Sequence, residues 1–128
     1  MKRILIADDQ ASWRIFHTNV INEVLKNQVS LDTAESAEEA YSKILENNKT
    51  PYDIIITDMQ MEEDYTPKMA GEWLIEQIKA LNSYYKTKII IISASPKIKQ
   101  IAEMYNVNYI PKRVAVTSIL PYKELLLS

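Results

Sequence analysis

At 128 residues, with 47% hydrophobic and 25% charged positions, the chain has one domain's worth of ordinary globular sequence and enough of it to bury a core, which excludes a disordered chain. Its formal net charge of -2 gives no electrostatic reason to expect direct nucleic-acid binding. With no cysteine and one glycine, Gly71, it excludes a disulfide framework, a thiolate metal site, a cysteine nucleophile and a glycine-rich phosphate loop.

The first element is a buried strand, Ile4-Leu5-Ile6-Ala7, ending at Asp8-Asp9. Lys2 and Arg3 lead into this strand rather than into a long apolar stretch, so the N-terminus does not read as a signal peptide. A helix follows from Ala11 to about Lys26, with Trp13, Phe16, Val20 and Val24 at helical spacing. His17 is assigned to its surface. Val29 to Ala34 alternates only partly and suits an edge strand. Ser36 caps the next helix with Glu39 as its capping-box partner, and Asn47 to Pro51 closes it.

Tyr52-Asp53-Ile54-Ile55-Ile56-Thr57-Asp58 follows. Consecutive isoleucines cannot alternate between core and solvent, so this is a central parallel strand covered on both faces. Met59 to Lys68 is expected to be a polar loop with an acidic cluster at Glu62, Glu63 and Asp64. A helix is expected from about Met69 to about Tyr85, then a strand from Lys88 to Ile92 ending at Ser93-Ala94-Ser95. Pro96 suits the first turn of the helix that carries Ile98, Ile101, Ala102 and Tyr105. Val107 to Ile110 is the fifth strand, Pro111-Lys112-Arg113 follows it, and Thr117 or Ser118 caps a last helix. The longest apolar run, Ile89 to Ile92, has four residues, far short of a membrane span. The expected compartment is the cytoplasm, and residues 1–128 are expected to be one domain.

Five alternations of strand and helix give an α/β fold: a doubly wound parallel sheet with right-handed crossovers. All strand ends then share one edge, where open α/β folds build their sites. Asp8 and Asp9, Asp58, Ser93 and Lys112 meet there. Three close carboxylates repel unless a cation sits among them or one is protonated. Mg²⁺, with oxygen ligands, waters and a substrate phosphate, answers this. A hydroxyl and an ammonium suit the remaining phosphoryl oxygens, and a carboxylate is a competent nucleophile toward phosphorus. The plainer readings stand beside these. Asp8 and Asp9 also suit a helix N-cap, Ser93 also suits a cap, Lys112 also suits a solvated surface, and Tyr109 also suits packing.

In these residues the chain resembles the receiver domain of two-component response regulators over its whole length. The likeness rests on Ile4 to Asp9, Arg14 five residues after the second acid, Ile54 to Asp58, Met61, Met69-Ala70-Gly71, Ser93-Ala94 and Tyr109 to Lys112. It implies a CheY-like, flavodoxin-like (βα)5 fold with strand order 2-1-3-4-5. It implies phosphorylation of Asp58 by a histidine kinase or phosphotransfer protein. It also implies Mg²⁺ held by Asp8, Asp9, Asp58 and the backbone carbonyl of Gln60, with Lys112 and Ser93 on the phosphoryl group. Ser93 and Tyr109 would switch the face built by the fourth helix, fifth strand and fifth helix, which would meet a downstream protein, an output domain or a second copy. Such a domain is a phosphoacceptor and not an enzyme in the ordinary sense. Gln60 and Ser95 take positions that resemble the family's tuners of hydrolysis. Two departures stand out: a longer loop after Asp58, with Ala70 where the family has an aspartate, and Arg113 where it has proline. Two other classes stay open, a phosphorylation-independent interaction module and an aspartyl-nucleophile phosphatase, although the latter usually carries an acid where Gln60 stands.

Overall fold

The computed structural model describes residues 1–61, 64–65 and 68–128. In chain order the elements are β1 (Lys2–Ala7), α1 (Ala11–Val24), β2 (Val29–Ala34), α2 (Ala37–Glu46), β3 (Ile54–Thr57), β4 (Asp64–Tyr65), β5 (Lys68–Met69), α3 (Ala70–Lys79), a 3-10 turn (Asn82–Tyr84), β6 (Lys88–Ser93), α4 (Ile98–Tyr105), β7 (Asn108–Pro111), α5 (Lys112–Ala115) and α6 (Leu120–Leu126). The main sheet is parallel, in the order β2-β1-β3-β6-β7. Counted along this sheet alone, that is the expected order 2-1-3-4-5, with helices between successive strands, so the flavodoxin-like α/β fold is confirmed. Among the described residues no helix is long and apolar enough to cross a membrane.

The isoleucine runs explain the layering. Ile55 and Leu5 point into a core shared with Ala40, Ile44, Leu74 and Ile78 of α2 and α3. Their neighbours Ile4, Ile6, Ile54 and Ile56 point the other way, into a core with Val20, Ile21, Tyr122 and Leu126 of α1 and α6. Each strand is thus apolar at every position because each face is covered. At the far edge of the sheet Lys2 and Lys88 donate to the carbonyls of Leu126 and Leu125, satisfying the last turn of α6.

The structure departs from the sequence reading in several places. The helix expected to run to about Tyr85 stops at Lys79. Leu81 is extended, and Tyr84 folds back to bury its ring and donate to the Ile44 carbonyl at 2.8 Å. That tertiary bond outweighs helix continuation. The segment expected to be loop contains two short antiparallel strands, β4 and β5. Glu62 and Glu63 of the acidic cluster lie outside the described residues. Pro96 precedes α4 rather than entering its first turn. Ser118, not Thr117, receives the N–H of Leu120, at 3.1 Å. Ser36 does accept from Glu39 N–H, at 3.0 Å, but the Glu39 carboxylate returns to Glu35 N–H instead of Ser36. A short helix, α5, begins at Lys112, the place where Arg113 replaces the proline expected of the family.

His17 is the largest correction. It is 1% exposed, not on the surface. Its Nδ1 lies 2.8 Å from the Tyr122 hydroxyl, joining α1 to α6. The polar edge of the ring is satisfied by a residue no local pattern could reveal.

Gly71 is fixed by close approach. A Cβ there would sit 2.2 Å from the Asp58 carbonyl oxygen and 2.6 Å from Met59 Cα. The Gly71 N–H also donates to the Met59 carbonyl at 2.9 Å. The first turn of α3 is thereby pressed against the backbone that follows β3.

Two expected outcomes follow from these contacts. On an open helix Gly→Ala stabilises, by about 1 kcal/mol. At Gly71 the methyl meets backbone, so Gly71→Ala is expected to destabilise by about 1–3 kcal/mol in urea unfolding. A stabilised variant would contradict the packing. Burial, aided by the Lys112 charge, pulls His17 from its ordinary 6.5 down to about 4. Its folded value lies below its unfolded one, so its contribution is complete above pH 6.5 and is lost as pH falls toward 4. Relative to His17→Gln, the parent should lose on the order of 3 kcal/mol of unfolding free energy across that window. Parallel pH profiles for the two proteins would refute the buried neutral ring.

Candidate functional site

The site lies at the carboxyl edge of the sheet, where β1, β3, β6 and β7 end. Asp8 follows β1 and is 1% exposed, and Asp58 follows β3 and is 6% exposed. Asp9 is half-buried beside them. Each of the three offers an oxygen, and these atoms lie within 4.8 Å of one another. Lys112, at the end of β7, is 8% exposed. Its Nζ lies 2.9 Å from Asp58 Oδ2 and 3.2 Å from Asp8 Oδ2.

Backbone groups hold the carboxylates in place. Asp58 Oδ1 accepts from Met59 N–H at 2.6 Å and, more loosely, from Gln60 N–H at 3.4 Å. Thr57, fully buried, donates its hydroxyl to the Asp58 carbonyl at 2.8 Å. Asp8 Oδ1 accepts from Gln10 N–H at 3.0 Å. Asp8 therefore also braces the turn into α1, but the plainer capping reading does not hold: Gln10 is the N-cap, and no side chain caps the helix. Arg14 donates to the Asp8 carbonyl at 2.8 Å and reaches Glu35 at 3.3 Å, clamping the turn from outside.

Charge balance at this edge is incomplete. Burial raises the pKa of Asp8 above its ordinary value, Asp58 adds to this, and the Gln10 N–H and Lys112 oppose it. Asp8 Oδ2 lies within ion-pair distance of Lys112, yet it receives no directed hydrogen bond. A buried carboxylate oxygen with no donor, beside two more carboxylates, is a donor set of hard oxygens suited to a divalent cation such as Mg²⁺. The residues present fit the metal.

The remaining predicted residues are near by but do not all converge. Ser93, 1% exposed, accepts from Ser95 N–H at 3.1 Å, and Ser95 Oγ accepts from Lys97 N–H at 3.2 Å. Ser93 thus turns the chain toward α4 and has no bond to Asp58. It lines a cleft of about 530 Å³ together with Ala94, Ser95, Tyr109, Lys112 and Arg113. Tyr109 is half-buried and packs on the core under α3 and α4. Gln60 is exposed, and its N–H faces Asp58. Two contacts had no visible signal in the sequence. The Lys112 ammonium lies over the Trp13 ring, 4.7 Å from its centroid, whereas the sequence shows Trp13 only as one position of the apolar stripe of α1. The role of Gly71 behind Asp58 required the approach of two backbones to be seen.

Comparison with known proteins bears on the family and the fold. The model of the response regulator receiver domain family matches residues 4–121. The gliding motility regulatory protein of Myxococcus xanthus is 32% identical over 100 residues, covering 77% of this chain and 12% of that protein; the chain thus spans only a small part of its relative's length. Among solved structures, the response regulator TrrA of Thermotoga maritima, determined in complex with Mg²⁺-BeF, is 27% identical with a TM-score of 0.65, over 87% of this chain and 86% of that one. The chemotaxis response regulator CheY4 of Vibrio cholerae shares the fold at 22% identity and a TM-score of 0.67, over 91% of this chain and 94% of that one. With an acid triad and a lysine at the strand ends of a flavodoxin-like sheet, and a family match over nearly its whole length, the chain belongs to the response regulator receiver domains of two-component signalling.

Proposed function

We propose that residues 1–128 act as one cytoplasmic receiver, taking a phosphoryl group on Asp58 from a histidine kinase or phosphotransfer protein. The observation that carries this reading is the buried Asp58 carboxylate, fixed by Met59 N–H on one oxygen and by Lys112 on the other, beside Asp8 and Asp9. Asp8, Asp9, Asp58 and the Gln60 carbonyl are the proposed ligands of Mg²⁺. When bound, the metal neutralises charge on the carboxylates and the incoming phosphoryl oxygens.

The chain's own groups do the rest. A carboxylate oxygen of Asp58 attacks phosphorus, an O–P bond forms, and the N–P bond to the donor imidazole breaks. The electron pair leaves with the imidazole, which takes its proton from water. The Lys112 ammonium, already within 2.9 Å of the carboxylate, accompanies the negative charge as it passes to the phosphoryl group. Ala94 is small, which leaves room for the attack. The Ser93 hydroxyl would then turn to the phosphoryl group and Tyr109 would follow into the cleft behind it. That couples the site to α4, β7 and α6, the last being the fifth helix of the sequence reading. This face is the proposed contact for a downstream protein, an output domain or a second copy.

Incubation with acetyl phosphate and Mg²⁺ should add one phosphoryl group to the intact mass, and Asp58→Asn should abolish the adduct. No adduct on the parent from acetyl phosphate or phosphoramidate would sink the reading. Metal binding has its own test. Mg²⁺ should raise the thermal midpoint of the parent, whereas Asp8→Asn should raise the metal-free midpoint, by relieving repulsion in a buried site, and blunt the response to Mg²⁺. Equal Mg²⁺ responses in the two proteins would remove Asp8 from the ligand set.

A further inference from the structure

The contact between Trp13 and Lys112 belongs to no part of the mechanism above. Trp13 stands on the first turn of α1, just after the acid pair. Its ring centroid is 4.7 Å from Lys112 Nζ, the same ammonium that lies 2.9 Å from Asp58 and 3.2 Å from Asp8. A cation over an indole face, away from water, is a strong form of this attraction. The ring is itself braced. Phe16 meets it edge-on with centroids 5.4 Å apart, and His17 tilts against it at 5.4 Å. His17 is tied through Tyr122 to α6. The indole, itself half-buried, is therefore backed on one side by packed rings.

The physical difference between this partner and the other two is decisive. The attraction of Lys112 to Asp8 and Asp58 depends on their charge, and that charge changes when a proton, a metal or a phosphoryl group arrives. The attraction to the ring face does not change. Lysine is a flexible stem carrying a point charge, and here it opens a short helix with exposed Arg113 behind it.

We propose that Trp13 is a positioning residue for Lys112, holding the ammonium at the site through a contact whose strength does not depend on the charge of the carboxylates. This inference rests on the phosphoacceptor reading of Asp58.

The test is the initial rate of phosphorylation by acetyl phosphate at saturating Mg²⁺, read by intact mass, in Trp13→Leu and Trp13→Phe, each with and without Lys112→Ala. Trp13→Leu should be slower than the parent by roughly 5- to 30-fold. Trp13→Phe, which keeps an aromatic face, should recover most of that loss. In the Lys112→Ala background the three residues at position 13 should give the same rate, and the half-saturating Mg²⁺ should not depend on position 13. A Trp13→Leu rate equal to that of the parent would overturn the inference alone. So would an equal slowing with and without the lysine, which would mark a merely structural effect. A parent that takes no phosphoryl group would sink the phosphoacceptor reading, and this inference with it.

Discussion

One ammonium between two buried carboxylates organises this molecule. Lys112 reaches Asp58 at 2.9 Å and Asp8 at 3.2 Å, and Asp9 completes the acidic cluster. With all three acids ionised, a single ammonium leaves two negative charges without a counterion among the described residues. Buried like charges are costly in a medium of low dielectric. The site is therefore built around a deficit, relieved by protonation of Asp8 or by a divalent cation. Burial, with the Asp58 charge adding to it, raises the pKa of Asp8, and its Oδ2 receives no directed hydrogen bond.

The fold's part is to hold this unfavourable arrangement still. Met59 N–H and Thr57 fix the end of β3, Gln10 N–H and Arg14 fix the turn after β1, and Gly71 lets α3 close behind Asp58. None of these groups carries the chemistry. Each removes a freedom that repulsion among the acids would otherwise exploit. The isoleucine strands behind them, covered on both faces, provide the rigid base.

Much of this was legible in the chain. Ile54-Ile55-Ile56 announced a two-faced central strand, and acids, a serine and a lysine at successive strand ends announced one rim. What stayed hidden depends on partners remote in sequence. His17 reads as a polar position on a helix until Tyr122 supplies its hydrogen bond. Trp13 reads as core until Lys112 arrives over its face. The early end of α3 follows from Tyr84 bonding the Ile44 carbonyl, a tertiary bond that no periodicity contains. Ser93 stands at its strand end as expected, but its bond to Ser95 N–H is a local turn contact and not the helix cap weighed as its alternative, since Lys97 is the N-cap of α4.

The outermost strand on the β7 side has a consequence of another kind. It is only four residues long and finishes in Pro111, which has no amide hydrogen to offer. A rim so brief and so poor in donors is a weak template for another β-strand. Extension of the sheet by a further strand is thus disfavoured along this edge, whatever else the surface offers.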